Sequence, residues 1–132
     1  MNMKELNINQ ELRDKIIFKE NLPKYMGGIA HFEHLGIWDL EELIKNNFID
    51  LEDSQNNSPT AKEFYEFIKN NGFTGDFHGY VVDKSRSDYR VTIEGIEVNS
   101  EIEIDTLIQF SNLFRDADEF ICIANHLYCW YD

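Results

Sequence analysis

The chain has 132 residues, 42% of them hydrophobic and including 10 Phe, 6 Tyr and 2 Trp, which is enough for one compact core and excludes a disordered chain. Its 25 Asp and Glu against 12 Lys and Arg give a net charge of −13, which argues against direct binding to nucleic-acid phosphates. With no signal-like N-terminus, no apolar run near the length of a membrane span and only Cys122 and Cys129, the expected setting is a reducing cytoplasm, without membrane attachment, disulfide framework or cofactor.

Residues 1–8 are expected to be poorly ordered. Glu11 to Lys19 reads as a short helix with Leu12 and Ile16 on one side, and Pro23 interrupts any continuation. Gly27 and Gly28 form a joint before IAHFEHLGIW, a run too short for periodicity to decide between strand and helical turn. Asp39 and Glu42 have the spacing of a capping box, which predicts a helix over 40–47 with Leu40, Leu43 and Ile44 on its core face. The polar run from Asp50 to Ser58 reads as a loop. Ser58 as cap and Pro59 as first residue then open a second helix, whose stripe of Ala61, Phe64, Phe67 and Ile68 stops at Asn71 and Gly72.

The clearest β signal lies between Phe77 and Val98, where two runs rich in aromatic and β-branched residues flank the polar stretch Asp83 to Asp88. This predicts a hairpin. In its second strand Tyr89, Val91 and Ile93 alternate, but Ile96 and Val98 have the opposite parity. A β-bulge near Glu94 and Gly95 would keep all of them on one buried face. Ile102 to Ile104 either pairs back or leads into a helix over 106–116, capped by Asp105 with Leu107, Phe110, Ser111 and Phe114 inward. The tail FICIANHLYCWY is strand-like, with a turn at Asn125 and His126. The expected fold is a single α+β domain: a mostly antiparallel sheet of three to five strands with two or three helices, ordered as helices first, then β-hairpin, helix and β.

Chemistry-bearing motifs are scarce. His31 and His34 would share a helical face near Glu33, but two ligands do not make a zinc site. No spacing brings His78, Cys122, His126 or Cys129 to them, and HExxH is absent. There is no nucleophile elbow, no Cys/His signature and no phosphate-binding loop around Gly27 and Gly28. The paired carboxylates Glu41 with Glu42 and Glu101 with Glu103 have the pattern of solvated faces, so no catalytic residue is assigned. At the hairpin tip Lys84, Arg86 and Arg90 form a basic island suited to a phosphate or carboxylate, flanked by Asp83 and Asp88, which can neutralise it.

Charge is concentrated near the end of the chain. From Val91 to Asp132 nine acids face one base, Arg115, a local charge of −8, and the aromatic LYCWYD lies among them. Acids that steer a cationic partner onto Tyr and Trp anchors are the pattern of a protein-binding surface. The expected function is that of a non-enzymatic, acidic protein-binding factor of inhibitor or immunity type. Asp116, Asp118, Glu119, Trp130 and Tyr131 would meet a basic partner such as a nuclease or another nucleic-acid-binding protein. Two alternatives are a small metal-dependent enzyme or regulator using the histidines, and a structural subunit of a larger assembly. Frequent Asn, Lys and Ile suit an AT-rich bacterial or phage genome.

Overall fold

The aromatic and β-branched runs of Phe77 to Val98 form the central hairpin of a sheet in the computed structural model, which describes residues 5–55 and 57–132. Along the chain the elements are α1 (Gln10–Phe18), β1 (Ile29–Leu35), α2 (Ile37–Lys45), α3 (Ala61–Asn70), β2 (Asp76–Val82), β3 (Val91–Val98), α4 (Ile104–Phe114), β4 (Glu119–Ile123) and β5 (His126–Trp130). All strand pairs are antiparallel, in the order β1-β2-β3-β5-β4. The fold is α+β, as the sequence predicts. IAHFEHL resolves as strand β1, which sits among the first helices, and the helices number four among the described residues.

The parity change in the second hairpin strand is a bulge. His78 pairs with Gly95 and Gly79 with Ile93, so Glu94 is the extra residue, and Ile93 and Ile96 both stay buried. The β4–β5 hairpin turns at Ala124 and Asn125, one residue earlier than expected.

Several helix ends differ from their sequence signals, and at α2 tertiary partners take the capping groups. α2 begins at Ile37 behind Gly36, since Ile37 is buried and its N–H donates to Thr74 O (3.0 Å). Asp39 makes no cap and instead accepts from Lys19 Nζ (2.6 Å). For α3 the cap is Thr60 rather than Ser58: Thr60 and Glu63 form a reciprocal capping box, and Gly72 closes the far end with φ +72°. α4 starts at Ile104 with Glu103, not Asp105, in the cap position. Ile102 is not part of a strand; it is buried, and its N–H donates to Ala124 O (2.7 Å).

α1 docks through a polar anchor. Arg13, fully buried, donates from Nη1 to Val82 O (2.9 Å), from Nη2 to Tyr25 Oη (2.7 Å) and from Nε to Asp14 (3.0 Å), with its guanidinium 4.7 Å from the centre of the Tyr89 ring. Leu12, expected on the inner side, is exposed, and Ile17 is buried in its place. For the terminus, residues 1–4 lie outside the described residues. Asn7 is bonded to Asn47 O through its N–H (2.8 Å) and accepts from Tyr89 Oη (2.8 Å).

Leu40, Leu43, Phe64, Phe67, Phe110 and Phe114 of the helices join Phe32, Phe77, Val81, Ile93, Ile96 and Leu127 of the strands in one core. Helices thus cover one face of the sheet. The alternate residues of the strands point to the opposite face, where Gln55 reaches over one end through bonds to Tyr80 and Glu94. No helix among the described residues is long and apolar enough to cross a membrane.

Candidate binding face

On the uncovered face, alternation and register set neighbouring side chains side by side. His31 pairs with Tyr80, His78 with Gly95, Gly95 with Trp130, and Trp130 with Glu119. Gly95 has no side chain between His78 and Trp130, and a depression of about 350 Å³ opens in this region. Its lining includes five carboxylates, Glu33, Asp76, Glu94, Glu97 and Glu119, together with the rings of Tyr128 and Trp130, and contains neither Lys nor Arg.

The bulge determines the deepest of these carboxylates. As the extra residue, Glu94 sits with only 8% of its side chain exposed, 3.4 Å from Gln55 Nε2 and 3.9 Å from His31 Nδ1. Burial holds its carboxyl above the ordinary value, partly offset by Gln55. His78 stacks on Tyr128 (5.3 Å between centroids) and donates from Nε2 to Cys129 O (3.1 Å), while burial lowers its pKa. It is therefore a neutral, positioned donor rather than a cation. Glu97 lies 2.6 Å from His126, and His34 lies 3.7 Å from Glu33 and 3.6 Å from Asp76.

Of the residues singled out in the sequence, Glu119 and Trp130 lie together on this face as a cross-strand pair. Asp116 and Asp118 are exposed in the α4–β4 connection at its border. Asp116 accepts from Tyr131 Oη (2.6 Å), and Asp118 accepts from the Asp132 N–H (2.7 Å). Tyr131 does not join the surface. Alternation turns it opposite to Trp130, where it is 5% exposed and packs edge-on against Phe64 at 6.0 Å. Burial and its bond to Asp116 raise its hydroxyl pKa. His31 and His78, candidates in the sequence for a metal rather than for this face, join it together with Glu94, Glu97 and Tyr128, none of which the sequence assigns to a binding surface. The parity switch at Glu94 was their one legible signal, because it decides which residues of β3 face outward.

Comparison of the chain with protein-family models, with curated proteins and with solved structures finds no match.

The basic island is occupied by its own neighbours. Arg86 makes a two-point contact with Asp88 (2.9 and 2.8 Å) and donates to Gly27 O (3.0 Å). Arg90 donates to Thr92 Oγ1, Asp88 and Tyr80 Oη, leaving the exposed Lys84 as the outward-facing cation of the three. The Arg86 contact also holds the Asp88 carboxyl below its ordinary value. Among the described residues no three His, Cys, Asp or Glu side chains come together as a metal site. Burial pushes the Cys129 thiol up to about 12 and raises Cys122 as well, the opposite of what a nucleophile requires.

Proposed function

We propose that this chain is a non-enzymatic binding protein of inhibitor or immunity type, which presents the open face of its sheet to a basic protein such as a nuclease or another nucleic-acid-binding protein. The observation that carries this reading is the depression itself, whose lining has five carboxylates, the rings of Tyr128 and Trp130 beside His31, His34 and His78, and neither Lys nor Arg. Carboxylates around such a depression steer a cationic surface and set its orientation, and Tyr128 with Trp130 offer the flat, low-entropy contact area on which binding energy concentrates. A partner cation near Glu94 would offset the cost of keeping that carboxylate away from water. Asp116 and Asp118 at the border extend the same field.

Affinity capture from the source cell tests the proposal. The wild-type chain should retain a basic protein at low salt and release it at high salt, and a Glu119→Lys, Trp130→Ala variant should retain little of it. Equal recovery by the variant, or capture indifferent to salt, would count against this face.

A further inference from the structure

The two edges of the sheet are finished differently. β1 has a register irregularity between Phe32 and Leu35, His34 with φ +58°, and the exposed Glu33, all of which obstruct the addition of another strand. β4 carries no such irregularity; on its outer side Ile102 N–H donates to Ala124 O (2.7 Å), just beyond the strand's end, and leaves the strand itself open. Its five residues pair with β5 in unbroken register, and Glu119 is its single charge.

Backbone alternation shows which groups β4 leaves unused. Tyr131 N–H donates to Glu94 O (2.9 Å), so Tyr131, Cys129 and Leu127 direct their backbone bonds toward β3, and Trp130, Tyr128 and His126 direct theirs toward β4. Glu119, Ile121 and Ile123 receive them. The N–H and C=O groups of Phe120 and Cys122 consequently point to the free edge, where no strand pairs with them among the described residues.

Apolar side chains flank this edge on both sides. On the open face, Ile121 and Ile123 are 38% and 53% exposed; on the helical side, Ile104 and Ile108 are 72% and 53% exposed. α4 meets α3 through Phe110 against Phe67 and Gln109 against Asn71. At about 100° per residue, Ile104 and Ile108 fall on the flank turned away from α3, beside β4.

We propose that this edge is a homodimer interface, in which β4 pairs antiparallel with β4 of a second copy about a two-fold axis through Ile121. That register sets Phe120 opposite Cys122 of the second copy, and these are the two residues with unused backbone groups, so both hydrogen bonds of the pair close. Each Glu119 then faces an Ile123 rather than the other Glu119. Below the sheet the two α4 helices run antiparallel. The exposed Arg115, the one base after Val91, comes to the end where the second copy carries Glu103 and Asp105, so the charges complement each other. This inference does not depend on the basic partner. The net charge of −13 per chain also gives it the opposite salt dependence: screening strengthens the dimer, whereas it weakens attachment of a cation.

Sedimentation equilibrium of the full chain over a concentration series, at low and high salt, tests the proposal. A two-chain species is expected, favoured by salt. Ile121→Lys, which sets two ammonium groups against each other at the axis, and Ile108→Lys should each raise its dissociation constant at least tenfold, with Arg115→Glu acting in the same direction. Circular dichroism should confirm that the variants stay folded, since both isoleucines are exposed. A wild-type chain that remains monomeric up to roughly 1 mM, or a dimer unaffected by either lysine substitution, would overturn the proposal.

Discussion

Gly95 and His78 face each other across the β2–β3 ladder so closely that a Cβ at position 95 would lie 2.5 Å from the imidazole Nε2 and 1.9 Å from the Cys129 carbonyl oxygen. The bulge that presents Glu94 depends on this bare position. Gly95→Ala is expected to cost about 3 kcal/mol by forcing the strands apart. The readout is a lower urea midpoint; an unchanged midpoint would show that the close approach is absent.

Arg13 ties α1 to the central hairpin. Replacing it by Ala leaves Asp14, Tyr25 and the Val82 carbonyl without their shared donor in a buried setting and removes the contact with Tyr89. Arg13→Ala should therefore destabilise by about 3–5 kcal/mol, measured by denaturant unfolding. Leu12→Ala, on the exposed side of the same helix, should cost well under half as much.

The sequence was most legible where backbone geometry and side-chain period agree. Phe77 to Val98 carries strand period, turn and bulge in its own residues, and Ala61 to Ile68 carries a complete helical stripe. Legibility ended where a distant partner decides. Asp39 is drawn to Lys19, and IAHFEHL becomes a strand because β2 pairs with it. The same holds for the binding face. Glu119 and Trp130 could be suspected from charge and aromaticity, but His31 and His78 reach that surface through register, which is a property of pairs of strands. The aromatic tail places Tyr131 beside Trp130 in sequence, whereas alternation along the chain turns Tyr131 into the core.

The pH dependence of stability should carry a signature of His78. Its folded pKa lies below the ordinary 6.5, so in the window beneath 6.5 the unfolded chain binds the proton more tightly. The contribution is fully present above that value and is lost as pH falls through the window. His78→Gln keeps an N–H donor toward Cys129 O but cannot titrate. The stability difference between wild type and variant should shift against the wild type on acidification, and a pH-independent difference would contradict a buried neutral His78.

Glu94 has the opposite sign. Its folded pKa is raised above 4.5, so the native state binds the proton more tightly, and stability falls as pH rises through the folded pKa. Glu94→Gln should stabilise the free protein at neutral pH and lose that advantage below about pH 4.5. The same substitution should weaken attachment to a basic partner, so stability gained alongside binding lost is the expected pair of outcomes.

Trp130 reports most directly on whether the open sheet face is the contact surface. Trp38, 68% exposed on α2, can be replaced by Phe to leave Trp130 as the one indole. Acrylamide quenching of Trp130 is then followed while the captured basic protein is titrated in. Binding at low salt should shield Trp130 from the quencher, and raising the salt should restore its accessibility. Saturating binding with Trp130 quenched as freely as in the unbound chain would place the contact elsewhere and contradict a role for this face.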